Sequence, residues 1–135
     1  MHTGPDDAIS VVRALYAQVA AGDFTAVMAL MADDVEFLQA DSLPFGGRFS
    51  GQAGFADMAS RILAAWPGFS VTPLAFLQDG SGSVVVQTRL TGEGLDMPML
   101  ELWTVSGGRI VRCQPFYFDT AAAARSAVQG VASVG

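Results

Sequence analysis

The chain has 135 residues and a net charge of −6, with 51% hydrophobic and 15% charged residues. That length predicts a single domain (1–135, with a folded core of about 6–125) that can bury a sizeable core. The negative charge argues against nucleic acid or an anionic membrane surface as a partner. One histidine and one cysteine exclude an internal disulfide and argue against a zinc site.

The sequence shows no pattern of a membrane-spanning or secretory segment. No apolar run reaches the roughly 18 residues of a membrane-spanning helix. The first residues contain acids and no basic segment, unlike a secretory signal, and the single cysteine suits a reducing compartment. We therefore predict a cytoplasmic protein with no membrane partner.

Helical periodicity dominates the first half of the chain. Apolar residues recur at i, i+3 and i+4 behind possible caps at Asp6 or Asp7 and at Asp23. A short strand over 35–38 and an irregular loop over 39–51 precede the third helical pattern. The predicted helices span 6–21, 24–31 and 52–65.

From residue 69 onward the apolar period becomes two, which is typical of strands. Glycine-containing turns at 79–82, 92–94 and 106–108 separate the strands. The predicted strands are 69–76, 83–91, 97–105 and 109–118, and Asp119 then caps a last helix over 120–128 before a loose tail. Helices followed by antiparallel hairpins predict an α+β fold. A curved, mixed or antiparallel sheet would wrap around the three N-terminal helices as a cone with an internal pocket.

Glu101 is the most informative single residue, because it stands in the middle of an apolar strand. The period of two places it on the same face as Met99 and Trp103. A carboxyl buried among such neighbours has a raised pKa and can act as an acid or hydrogen-bond donor. Alternatively, this face meets solvent or a second subunit, and Glu101 pairs with Arg89 or Arg109.

The other candidate site residues are aromatic, sulfur-containing or amide side chains. Tyr16 lies on the apolar face of the first helix, where it is either functional or a core tyrosine bonded to a backbone carbonyl. The candidates for lining a pocket are Tyr117, Trp103, Phe45, Phe55, Met58, Trp66, Gln39, Met99 and Cys113. Ordinary core packing is the alternative for the apolar members, and Cys113 reads as a small packing residue rather than a reactive thiol.

Several short strings occur together in a recognisable order, with Tyr16 ahead of them on the first helix. They are Gly22-Asp23-Phe24, Ala32-Asp33-Asp34-Val35, the loop Leu43–Gly51, Gly108-Arg109-Ile110-Val111 and Tyr117-Phe118-Asp119. Over roughly residues 6–125 the chain resembles the SnoaL-like branch of the nuclear transport factor 2-like (NTF2-like) superfamily, which includes ketosteroid isomerase, limonene epoxide hydrolase and polyketide cyclases. The resemblance implies a cone-shaped domain, often a homodimer through the outer sheet face.

The resemblance to ketosteroid isomerase extends to only part of its catalytic set. Tyr16 and Glu101 fall at the positions of that enzyme's oxyanion-hole tyrosine and protonated aspartate. Gln39 falls at the position of its general base, and glutamine cannot take up a proton at neutral pH. The chain is therefore not expected to be a standard ketosteroid isomerase. The epoxide hydrolase pattern matches poorly, with Arg89, Glu101 and Asp119 as its nearest equivalents.

Three functions remain open from the sequence. The first is an enzyme that binds a small, mostly apolar, ring-containing molecule and performs cofactor-independent acid–base chemistry, such as isomerisation, cyclisation or dehydration. Glu101 and Tyr16 would be its catalytic residues. The second is a module that binds such a molecule without chemistry. The third is a dimerisation domain with a filled core.

Overall fold

The computed structural model describes residues 5–127, which form four helices and a six-stranded sheet. The helices are α1 (Pro5–Ala21), α2 (Phe24–Ala29), α3 (Gly51–Ala65) and α4 (Thr120–Ser126). The strands are β1 (Met31–Gln39), β2 (Gly47–Ser50), β3 (Ser70–Gln78), β4 (Ser83–Gly92), β5 (Leu95–Ser106) and β6 (Arg109–Tyr117).

The sheet is mixed and open, with the strand order β2-β1-β6-β5-β4-β3. Strands β3 to β6 pair as consecutive antiparallel hairpins. Strand β1 pairs in parallel with β6 and antiparallel with β2. The helices α1, α2 and α3 pack against the strands, which confirms the predicted α+β fold.

Two aspartates cap the N-termini of helices, as predicted. The Asp23 carboxylate accepts a hydrogen bond from the Ala26 amide at the start of α2, and Asp119 accepts one from the Ala122 amide at the start of α4. Helix α1 begins at Pro5, so Asp6 and Asp7 lie in its first turn rather than at its cap. The predicted end of the last helix at residue 128 and the loose tail lie outside the described residues.

The region between α2 and α3 differs most from the prediction. Helix α2 ends at Ala29 and β1 already begins at Met31, so Asp33 and Asp34 are exposed strand residues rather than a junction. Strand β2 lies within the segment predicted as a loop. It can form there because it pairs with β1, an interaction supported by a 2.7 Å ion pair between Arg48 and Glu36.

The buried side chains form two clusters on the helix-covered side of the sheet. The cavity cluster consists of Ala8, Val12, Leu15, Tyr16, Val27, Met31, Val35, Phe37, Met58, Val84, Val86, Trp103, Ile110 and Cys113. The closed cluster consists of Leu43, Phe45, Ala65, Trp66, Leu90, Leu95, Met97, Met99, Ala123 and Ala127. Strand β5 contributes to both, because Trp103 lies near one end of its inner face and Met97 and Met99 near the other.

Candidate functional site

A cavity of about 510 Å³ lies between the inner face of the sheet and helices α1, α2 and α3. Its wall is mostly apolar and includes Phe37, Phe55 and Ile62. A few polar side chains interrupt that wall, among them Glu101 and Gln39. A concave, mostly apolar space with few polar groups is the usual form of a small-molecule site.

Glu101 reaches this cavity from β5 and is held by Tyr16. The Tyr16 hydroxyl donates a hydrogen bond to Glu101 Oε1. Within residues 5–127 this is the only hydrogen bond of the Glu101 carboxyl, so Oε2 is unengaged. Burial raises the pKa of Glu101 to about 7, against the opposing effect of the Tyr16 hydrogen bond. Near neutral pH the carboxyl can therefore both accept and release a proton.

Tyr16 is itself fixed by Trp103. The Trp103 Nε1–H donates to the Tyr16 hydroxyl oxygen at 3.0 Å, and the two rings meet edge to face with centroids 5.9 Å apart. Burial, followed by the neighbouring Glu101 charge, raises the pKa of Tyr16 well above its usual value. Tyr16 consequently keeps its proton and acts as a donor to Glu101.

A second polar pair involves Gln39 at the end of β1. The Tyr117 hydroxyl donates to Gln39 Oε1 at 2.7 Å, and Gln39 Nε2 lies 3.6 Å from Met58 Sδ. Burial raises the pKa of Tyr117 well above its usual value, so its hydroxyl also stays a donor. The Gln39 carbonyl is thus engaged, while the acceptor that the described part of the chain offers to its amide N–H groups is a weak one, the Met58 sulfur.

The structure divides the predicted site residues between two places. Seven of them line the cavity: Tyr16, Gln39, Phe55, Met58, Glu101, Trp103 and Cys113. Phe45, Trp66 and Met99 belong instead to the closed cluster. Met99 does share a strand face with Glu101, but there the face is covered by residues such as Leu43 and Ala123.

Tyr117 has an intermediate place. Its ring packs edge to face against Trp66, with centroids 6.0 Å apart, at the margin of the closed cluster. Only its hydroxyl points to the cavity side, through Gln39.

The alternative ion pairs of Glu101 are wrong. Arg89 pairs with Asp96 at 2.7 Å on the exposed surface, and Arg109 lies exposed at the far end of the β5–β6 hairpin. The inward direction of Glu101 follows from strand alternation, since its neighbour Leu100 is exposed.

Three of the apolar cavity-wall residues that were not predicted as site residues are also exposed to solvent. Val19, Phe24 and Leu63 line the cavity and are also 56%, 48% and 58% exposed, respectively. They come from α1, α2 and α3, so they mark the side on which the cavity opens to solvent. The sequence signal was weak, because an apolar residue at helical spacing is normally read as core.

Metal-ligand clusters and membrane-spanning helices are both absent from the described part of the chain. No group of three or more His, Cys, Asp or Glu residues within 5–127 could hold a metal ion. No described helix is both long and apolar enough to cross a membrane.

Known proteins share both the sequence pattern and the fold of this chain. The family profile of the SnoaL-like domain matches residues 12–113. The chain belongs to the SnoaL-like domain family. This SnoaL-like protein is 34% identical over 123 residues to uncharacterized protein Mb0035 of Mycobacterium bovis, a match that covers 87% of this chain and 94% of the relative.

Two solved structures illustrate the fold shared by this SnoaL-like protein. Bal32a from a soil-derived mobile gene cassette has a TM-score of 0.82 at 20% identity, covering 89% of this chain and 95% of that one. TerC, co-crystallized with polyporic acid, has a TM-score of 0.76 at 23% identity, with 86% and 94% covered. These identities show the fold alone. The family match, together with the NTF2-like structures among the neighbours, confirms the predicted superfamily.

Proposed function

We propose that this protein binds a small, mostly apolar, ring-containing molecule in the cavity and acts on it by cofactor-independent acid–base chemistry. The observation that carries the proposal is the Glu101 carboxyl in an apolar cavity. One of its oxygens is bonded to Tyr16, and the other has no hydrogen-bond partner among residues 5–127. Isomerisation, cyclisation and dehydration are reactions that one such carboxyl can promote. TerC, which shares the fold and was crystallised with polyporic acid, supports a small organic ligand.

The assigned roles follow from the hydrogen bonds. Glu101 is the group that exchanges a proton with the ligand, and its pKa of about 7 leaves both protonation states populated near neutral pH. Tyr16 holds the carboxyl in place and stabilises its ionised form. Trp103 fixes the direction in which Tyr16 donates, because it occupies the tyrosine oxygen as a donor.

A binding module without chemistry is the second candidate. The observation that favours it is Gln39, because an amide stands at the position where ketosteroid isomerase has its general base. The same cavity would then only hold its ligand. Turnover by the wild-type protein distinguishes the two functions.

The test is native mass spectrometry of the protein after incubation with an extract of small apolar metabolites. We expect a bound compound in the wild type and none in Ala59→Phe, which fills the cavity from α3. Ala64→Phe is the matched control, because Ala64 is exposed on the same helix and its substitution leaves the cavity open. Equal binding by Ala59→Phe and Ala64→Phe would mean that the ligand binds outside the cavity.

Chemistry is tested on the compound so identified. Glu101→Gln keeps the shape of the side chain and its ability to accept from Tyr16, but it cannot take up a proton. We expect turnover to fall by about 100-fold or more, with the circular dichroism spectrum and ligand affinity retained. Unchanged turnover would remove Glu101 from the mechanism and leave the binding function.

We also propose that the protein is a homodimer through the outer face of the sheet. Leu77, Leu100 and Phe116 are 56%, 44% and 50% exposed on that face, and a second copy would cover them. Light scattering should give twice the 14.1 kDa chain mass, and Phe116→Asp should shift it towards the monomer. A monomeric wild type at micromolar concentration contradicts this proposal.

A cytoplasmic location also stays a prediction.

A further inference from the structure

The inner face of the sheet carries a row of side chains that crosses the cavity. Phe37 of β1 pairs with Cys113 of β6, and Cys113 pairs with Trp103 of β5. The next row of inward-facing side chains lies two residues away along each of the three strands. It consists of Gln39, Pro115 and Glu101, of which Pro115 and Glu101 are paired directly. All three line the cavity.

Gln39 and Glu101 therefore face the same space from strands that are separated by one strand. Neighbouring strands lie about 4.8 Å apart, so the two backbones are roughly 10 Å apart. Pro115 between them carries no hydrogen-bonding side chain. A single ring system between Gln39 and Glu101 can therefore contact both polar groups at once.

The direction of the Gln39 amide is fixed by its two neighbours. Tyr117 donates to Oε1 at 2.7 Å, while Nε2 faces Met58 Sδ at 3.6 Å. Rotating the amide by half a turn would set Oε1 against the sulfur, which is also an acceptor. The orientation seen thus keeps the N–H groups available, and a thioether is a poor partner that a ligand oxygen can replace.

We infer that Gln39 binds the carbonyl oxygen of the ligand through its amide N–H groups, with Tyr117 as its positioning residue, while Glu101 exchanges the proton on a carbon next to that carbonyl. The inference rests on the proposed function and narrows its substrate to cyclic, mostly apolar carbonyl compounds with an acidic C–H. It also gives Gln39 a role that does not require it to titrate.

The proton and electrons balance within the site. Glu101 Oε2 takes the proton from the carbon beside the carbonyl, and the electron pair of that C–H bond forms the carbon–carbon double bond of an enolate. The enolate oxygen carries the charge and is stabilised by the Gln39 N–H groups. Glu101 then returns the proton to the same carbon or to a conjugated one, so no other reactant is consumed.

Binding of two probes of similar shape tests the carbonyl contact. The first is 2-tetralone, a bicyclic ketone with acidic C1 protons, and the second is tetralin, the hydrocarbon without the carbonyl. We expect the wild type to bind 2-tetralone about 5- to 10-fold more tightly, the effect of one hydrogen bond. Gln39→Leu should abolish that preference, and the shift of the ketone's infrared carbonyl band on binding should disappear with it.

Tyr117→Phe separates positioning from packing. The ring stays in place, so tetralin should bind as in the wild type, while the preference for the ketone falls. Thr88→Val is the matched control. It also removes a buried hydroxyl, one that donates to the Met99 carbonyl at 2.7 Å, and it should leave the preference unchanged.

Exchange of the C1 protons of bound 2-tetralone in D2O tests the proton transfer. Glu101→Gln should abolish the catalysed exchange, and Gln39→Leu should slow it about 100-fold at saturating ketone. A wild-type ketone preference in Gln39→Leu overturns the role of Gln39. Wild-type exchange in Glu101→Gln overturns the proposed acid–base function but not the carbonyl contact. If neither probe binds, both the cavity function and this inference fail.

Discussion

The two buried clusters each contain one tryptophan, and the two indoles are used differently. Trp66, in the closed cluster, donates its Nε1–H to the backbone carbonyl of Ala123 at 3.3 Å. Trp103, in the cavity cluster, donates to the hydroxyl of Tyr16, which donates in turn to Glu101. The Trp66 hydrogen bond ends at the backbone of α4. The Trp103 hydrogen bond leads through Tyr16 to a carboxyl whose second oxygen has no hydrogen-bond partner in the described structure.

This difference separates the part that holds the fold from the part that can do chemistry. In the closed cluster, a buried donor is satisfied by a backbone carbonyl and the surrounding side chains fill the space. In the cavity cluster, the polar groups of side chains bond to one another. That series of hydrogen bonds ends at the Glu101 carboxyl, which lines the cavity. Burying a carboxyl there lowers stability, and the same burial gives Glu101 a pKa of about 7.

Removing Trp66 should have the largest effect on stability. We expect Trp66→Ala to lower the free energy of unfolding by about 3–5 kcal/mol, because it removes a large, 4% exposed side chain and leaves a cavity. Urea denaturation measures the change. The control is Leu63→Ala, which truncates a side chain that is 58% exposed and should cost much less. Equal losses in the two variants would mean that the closed cluster is not tightly packed.

The pH dependence of stability should reveal the buried carboxyl. The folded-state pKa of Glu101 lies above its ordinary value of 4.5, at about 7, so the folded chain binds more protons between these values than the unfolded chain. Stability contributed by protonated Glu101 is therefore present below about pH 4.5 and is lost as the pH rises towards 7.

The matched comparison is with Glu101→Gln, which stays neutral throughout. The variant should gain about 2–4 kcal/mol relative to the wild type between pH 4.5 and 8, because the shift from 4.5 to about 7 corresponds to about 1.4 kcal/mol per pKa unit. Chemical denaturation of both proteins at several pH values gives the difference. A constant difference over this range would show that Glu101 titrates normally in the folded state.

The smallest effect expected is on the pKa of Glu101 itself. The hydrogen bond from Tyr16 lowers this pKa against the effect of burial, so Tyr16→Phe should raise it further, by about one unit for a hydrogen bond to a charged group. Carbon-13 NMR of labelled glutamate carboxyls follows the titration. Tyr117→Phe is the control, because Tyr117 donates to Gln39 and not to Glu101. A similar shift in both variants would argue against a specific role of Tyr16.

Local patterns predicted most of the elements, and long-range pairing accounts for what they missed. The helices at 6–21 and 52–65 and the hairpins after residue 69 follow from periodicity and turn residues. Strand β2 could not be found in that way, because its four residues become a strand only by pairing with β1. The parallel pairing of β1 with β6 joins segments far apart in the chain, and no local pattern indicates it.

The candidate site was predictable to a similar extent. Strand alternation grouped Glu101 with Met99 and Trp103 on one face without deciding whether that face points inward. The family resemblance indicated Tyr16 as the neighbour of Glu101. Neither could separate the cavity from the closed cluster, because Phe45, Trp66 and Met99 have the same apolar character as Phe55 and Trp103. Which of two apolar surfaces is covered depends on where α4 and the loop containing Leu43 pack.

The parallel pairing of β1 with β6 also has a kinetic consequence. Contacts between distant segments form slowly, because the intervening chain must first be ordered. Both Gln39 and Pro115 reach the cavity from these two strands, so we expect the cavity to be completed late, after the β3–β6 hairpins. A ligand would then find no binding site in the folding transition state. Its presence should slow unfolding while leaving the refolding rate almost unchanged.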